Sequence, residues 1–127
     1  IGQVKSKGNS TVWQQYNFTD ALPFTGNNYY RLKVIDKDGS FHYSNIVLIN
    51  IANDKTITIV YPVPAKNILH IQTNGNASFS LVNQVGKILA TKNVNSSGTI
   101  NVSGLAAGLY YLKNNSSGVV QKVVIAR

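Results

Sequence analysis

Apolar and polar residues alternate with a period of two over much of the chain, as in Tyr30-Arg31-Leu32-Lys33-Val34. No stretch sustains apolar residues at i, i+3, i+4 and i+7, the spacing that one face of a helix needs. Asn, Ser, Thr and Gly, which compete with helical backbone or loosen it, punctuate the apolar runs. The pattern predicts an all-β chain of short strands separated by turns.

In the first half, the alternating stretch around Tyr30, Leu32 and Val34 runs into Asp36-Lys37-Asp38-Gly39 and then into residues 41–49. This reads as two strands about a tight turn, with Gly39 supplying the positive φ. Residues 11–18 offer a further strand upstream. Three or four strands before residue 52 are too few to close a sandwich, so the missing ones are expected before Ile1. The second half is more complete. Candidate strands cover 56–61, 68–73, 77–82, 87–94, 99–102, 109–113 and 119–126. Their separators, "PVPAKN", "NGN", "NQVG", "NSSG", "SGLAAG" and "NNSSG", carry the residues that turns require. Seven short strands in about seventy residues fit a small antiparallel β-sandwich. The expected division is a partial β-sandwich domain over 1–52 and a second, complete one over 53–127, with the polar break Ala52-Asn53-Asp54-Lys55 between them.

Composition narrows the chemistry. Hydrophobic residues make up 43% of 127, enough for a core, and the longest apolar runs, at 46–49 and 123–126, are strand-length. A membrane-spanning helix needs about 20 apolar residues, so none is predicted. There is no Cys and therefore no disulfide framework or thiol chemistry. Met is absent too, the initiator included, and no signal peptide opens the chain, which reads as part of a longer polypeptide. Twelve Lys and Arg against four Asp and no Glu give a formal net charge of +8. Such a balance favours acidic partners, yet the charges are scattered singly, and a nucleic-acid reader concentrates them on one face. No nucleic-acid partner is expected.

The reactive inventory is thin. Asp36-Lys37-Asp38-Gly39 shares its start with a calcium loop but lacks the bidentate Glu, and a hairpin turn explains it better. His42 and His70 stand in different halves with no ligand at metal spacing, so neither a metal nor a cofactor is expected. No nucleophile elbow supports a Ser-His-Asp set, and with four carboxylates in all the chain reads as a non-enzyme. Trp13, Tyr16, Tyr29, Tyr30, Tyr43, Tyr110 and Tyr111 suggest a sugar-stacking platform. Adjacent tyrosines on a strand point to opposite faces, however, so core packing accounts for much of the set. Asn-x-Ser/Thr triplets at Asn9, Asn17, Asn76 and Asn101 are expected by chance in so Asn- and Ser-rich a chain.

Four segments of the second half, taken in order, are more specific: "VYPVPAKNILHI", "FSLVNQVGKIL", "INVSGLAAGLYYLK" and "QKVVIAR". Together they resemble the type A C-terminal sorting domain of proteins exported by the type IX secretion system of Bacteroidetes, over about residues 56–127. In that family the opening motif usually carries Asn between its prolines, where this chain has Val63, and Val cannot make the turn hydrogen bond that Asn can. The segment "NNYYRLKVIDKDGSFHYSNIVLI" is similar to the closing hairpin of a fibronectin type III or immunoglobulin-like domain.

The resemblance implies an immunoglobulin-like sandwich that carries an address for a larger cargo. It places recognition on Tyr61, Pro62, Pro64 and Asn67 of the opening motif, Gly86 of the central hairpin, Gly108 and Tyr110 of the Gly-Tyr segment, and Lys122 and Arg127 of the terminal strand. The implied partners are the type IX outer-membrane translocon, its shuttle protein and a sortase-like peptidase. That peptidase would cut near Ala52, Asn53, Asp54 and Lys55 and release the cargo or attach it to the cell surface. The alternative is an adhesive or carbohydrate-binding accessory module, which requires an exposed aromatic row.

Overall fold

The computed structural model describes residues 1–53 and 56–127, and over these every helix or strand element is a strand. The strands are β1 (Gly26–Tyr30), β2 (Lys33–Ile35), β3 (Phe41–Tyr43), β4 (Ile46–Ile51), β5 (Ile57–Val63), β6 (Ile68–Val82), β7 (Ile88–Asn101), β8 (Gly108–Asn114) and β9 (Val120–Ile125). All ladders are antiparallel. The main sheet runs β1-β4-β5-β6-β8-β9, with β7 also on β6, while β2 and β3 form a separate two-stranded sheet.

The fold turns on two long strands where the sequence predicts four short ones. β6 spans 15 residues and β7 spans 14, and they pair along most of their length. "NGN" and "NSSG" therefore do not end strands. They form a bend at which the register breaks between Gln72 and Asn76. There residues 73–75 of β6 face Ser96 of β7, which adopts a left-handed φ of 66°. The surplus on β6 is two residues, an even number. Inward and outward positions are thus preserved across the bend, since only an odd slip would exchange the faces. Leu69 and Ile71 before the bend and Phe79 and Leu81 after it all point into the same core.

This bent hairpin serves both layers of the sandwich. β5 pairs with the N-terminal part of β6 (Thr58↔Thr73 to Tyr61↔His70), and β8 pairs with the C-terminal part (Phe79↔Asn114 to Val82↔Tyr111). The sheet folds over until Ala65, just beyond β5, meets Ile125 of β9 in an isolated parallel bridge. Between the layers lie Leu48, Val60, Val63, Leu69, Ile71, Phe79, Leu81, Val94, Ile100, Val102, Leu112, Val123 and Ile125. Burial of a side chain of this size stabilises by roughly 1.5–3 kcal/mol each. The core is not wholly dry of polar atoms: Thr73 Oγ1 and Gln121 Nε2 are buried without a hydrogen-bond partner.

The first half departs further from expectation. Residues 11–18 belong to no strand, and Trp13 is fully exposed. A strand exists only against a partner, and no ladder among the described residues reaches this segment. The predicted turn does form: Gly39 has φ 89°, its N–H donates to Asp36 O at 3.0 Å, and Asp36 N–H donates to Ser40 O at 2.8 Å. The strand expected over 41–49 is interrupted at Ser44 and Asn45, so that β3 stays with β2 while β4 joins the main sheet. β4 pairs with β5 from Ile46↔Val63 to Ile51↔Ile57, and its Leu48 belongs to the core. The polar break at 52–55 is the connection between these two strands, with Ala52 N–H donating to Thr56 O at 2.9 Å. Asp54 and Lys55 lie outside the described residues.

Candidate functional site: a main-chain corner tied by Arg127

The opening motif lies at the end of β5 and in the loop to β6. Pro62 is half-buried on β5, Pro64 and Asn67 are exposed in the loop, and the Tyr61-Pro62 and Val63-Pro64 peptide bonds are cis. Proline has no N–H to offer a ladder, so it fits a strand end. Val63, the departure from the family pattern, is 6% exposed and part of the core. An apolar side chain is what that position asks for here, because a buried amide would need partners that the core does not offer.

Beyond Pro64 the backbone is captured by two distant segments. Ala65 N–H donates to Val124 O at 2.9 Å, and Ala126 N–H donates to Ala65 O at 2.8 Å. Asn67 O accepts from Val102 N–H at 2.8 Å, and Leu105 N–H closes a turn onto Val102 O at 3.0 Å. Over these carbonyls sits the Arg127 guanidinium. Nε donates to Leu105 O at 2.8 Å, Nη1 to Lys66 O at 2.5 Å, and Nη2 to Val102 O at 2.6 Å and also to Leu105 O. A planar fork of five N–H donors can bridge several carbonyls at once, which a single ammonium cannot. The side chain thereby joins the opening loop, the 102–105 turn and the terminal strand.

The Gly-Tyr segment supports this corner from below. Gly108 and Tyr110 on β8 face Ile125 and Val123 of β9. Tyr110 is buried, and its hydroxyl donates to Ala106 O at 2.8 Å, anchoring the chain just after the 102–105 turn. Asn101 Oδ1 accepts from Ser103 N–H at 2.9 Å and from Ser103 Oγ at 2.7 Å, shaping the turn from its other side.

Of the residues expected to take part in recognition, Pro64, Asn67 and Arg127 meet at the corner, with Gly108 and Tyr110 beneath it. The others stand elsewhere. Gly86 is in the β6–β7 turn with φ 86°, where its N–H donates to Asn83 O at 3.1 Å. A Cβ there would meet nothing within 4 Å, so the backbone conformation alone calls for glycine. Lys122 is exposed on β9. Tyr61 stacks on His70 at 4.9 Å and 8° between planes, beside a shallow polar groove of about 500 Å³ lined in part by Gln72, Lys92, Asn95 and Thr99. The aromatic residues proposed as a platform are spread over separate elements: Tyr110 in the core, Tyr30 bonded to Asp20 at 2.6 Å, and Tyr43 on β3 under Arg31.

Sequence reasoning did not find Lys66, Val102 and Leu105, whose contribution is a carbonyl oxygen. Every residue has one, so side-chain pattern carries no signal for it. The turn residues Ser103-Gly104 were the available hint. Among the described residues no cluster of His, Asp or Glu is placed to hold a metal ion. Among the same residues no helix is long and apolar enough to cross a membrane.

Against known proteins, no curated protein and no solved structure matches the chain. One family does match, described as the secretion system C-terminal sorting domain, over residues 59–126. That span is more than half of the chain and runs from within β5 past the end of β9, taking in the bent hairpin and the loops of the corner but stopping one residue short of Arg127. The family is one of export signals for type IX secretion, destined for the cell surface or the exterior, and is not an enzyme family. The chain belongs to the secretion system C-terminal sorting domains.

Proposed function

We propose that residues 53–127 are a folded export signal that carries a larger cargo through the type IX outer-membrane translocon, with delivery by its shuttle protein. Residues 1–52 then belong to the end of a fibronectin type III or immunoglobulin-like domain on the cargo side. The observation that carries this reading is that the matched span, 59–126, contains nearly all the strands that enclose the core. The domain offers geometry and charge to a partner rather than a reactive centre: residues 56–127 hold six Lys and Arg and no acidic residue.

A sortase-like peptidase acting at 52–55 completes the proposal, with the cargo released or attached to the surface. The fold adds a physical condition. β4 precedes the cut and β5 follows it, yet they share a ladder and Leu48 sits in the core. Cleaving one peptide bond there leaves those contacts in place, so parting the cargo from the signal also requires withdrawing β4.

Two experiments test the reading. A passive fluorescent reporter fused ahead of residues 1–127 is exported by a type IX-competent bacterium, and the reporter alone is not. Export that persists after deletion of residues 121–127 would rule the signal out. For the second, a specific protease site placed at 53–55 is cut in the purified chain. The two fragments co-elute in native buffer and separate only in denaturant; separation without denaturant contradicts the β4 condition.

A further inference from the structure

At the Arg127 corner, three segments far apart in sequence meet through main-chain bonds: 64–67, 102–105 and 124–127. Among the described residues, all acceptors of the guanidinium are neutral carbonyls. Its positive charge is oriented without a carboxylate side chain among those acceptors, and residues 56–127 contain none. The exposed Lys66 side chain adds a second cation at the same place, and exposed Pro64, Asn67 and Ser103 surround it. The clamp uses only the Lys66 carbonyl, which leaves its ammonium group available to a partner.

We infer that this corner is the surface by which the domain is bound, that the partner presents an acidic protein face to it, and that Arg127 is a positioning residue holding the surface in shape. The inference rests on the sorting reading and gives it a location. Its physical content is that the signal is read as a tertiary arrangement. Lys66 supplies an attractive charge at the rim, and Arg127 fixes the loops that present it. Opposite charge across such a rim speeds association and selects partners. A guanidinium satisfied by carbonyls from two loops costs the complex little ordering, because the loops are already placed.

The test uses the full chain fused to the reporter, together with the purified chain. Lys66→Glu reverses the rim charge and keeps the main-chain carbonyl that the clamp uses. It is expected to lower export on the order of tenfold with an unchanged melting temperature. Lys87→Glu makes the same reversal in the β6–β7 turn and is expected to change export less than about twofold. Arg127→Gln is expected to lower export and to speed amide exchange at 65–68 and 102–105, with Arg127→Lys between it and the parent. Equal effects of Lys66→Glu and Lys87→Glu, or none from either, would overturn the corner as the reading surface. Arg127→Gln with parental export, or with parental exchange, would overturn the positioning role. If the parent fusion itself is not exported, the sorting reading fails and the partner with it, while the exchange measurement still decides what Arg127 holds.

Discussion

Residues 1–45 and residues 46–127 draw on the same apolar vocabulary with opposite results. Among the described residues, the first region contributes only Asn28 to the buried set, and most of the exposed large apolar side chains lie in it, Trp13, Leu22 and Phe24 among them. The second region encloses a continuous core. The difference is closure. The β2–β3 hairpin alternates correctly but faces no second layer, and its rings meet cations instead: Arg31 lies 3.8 Å from the Tyr43 ring centroid and Lys33 lies 4.0 Å from that of Phe41. The β6–β7 hairpin alternates no better, but its bend supplies the opposing layer. Period-two patterning makes a strand amphipathic, and only a second layer makes that face an interior.

The sharpest way to break this comparison is to truncate one large apolar side chain in each region. Phe79→Ala, in the core, is expected to cost about 3–5 kcal/mol in urea unfolding. Trp13→Ala is expected to stay within about 0.5 kcal/mol; comparable losses would mean that residues 1–45 have an interior after all. Next in size is Val63→Asn, which restores the usual family residue but buries an amide. It is expected to destabilise by about 1–3 kcal/mol, and an unchanged midpoint would show that the loop can turn this side chain outward. Thr73→Val acts in the other direction, removing the unpaired buried hydroxyl while keeping the shape. A gain of about 1 kcal/mol is expected in the same unfolding measurement.

The smallest effect belongs to the first region. The Tyr30 hydroxyl donates to Asp20, which holds the Asp20 carboxyl below its ordinary value and raises that of Tyr30. The bond needs an ionised Asp20 and a protonated Tyr30. Whatever stability it supplies is therefore present at neutral pH, is lost as pH falls through the lowered Asp20 value, and is lost again as pH rises through the raised Tyr30 value. Tyr30→Phe is expected to return the Asp20 titration, followed by NMR, toward the ordinary carboxylate range. An unmoved titration would show that the other cause, the Leu22 N–H donating to Asp20, dominates.

The fold class was legible because alternation and turn residues report directly on strands. The number of strands was not. Asn74-Gly75-Asn76 and Ser96-Ser97-Gly98 look like turns, and turn residues serve a bulge as well as a hairpin. Only pairing partners distinguish the two, and those are far apart in sequence. The opening motif and the terminal basic residue were legible as a family pattern, and the structure brings the second part of the motif, residues 64–67, to one corner with Arg127. Their connection was not legible, since it runs through the carbonyls of Lys66, Val102 and Leu105. Val63 shows the opposite failure. In the sequence it stands out as a defect in a motif, and in the fold it is a core residue.

The bent hairpin also bears on the order in which the molecule assembles. β6 and β7 are joined by the short turn at residues 83–87, so their ladder closes cheaply and early. The bridge from Ala65 to Ile125 joins residues sixty apart and gains nothing until both layers exist. Substitutions in the β6–β7 turn are expected to slow folding, and those at Arg127 to speed unfolding. A chain that has stalled partway would then hold most of its strands while lacking the corner, and would be invisible to whatever reads it.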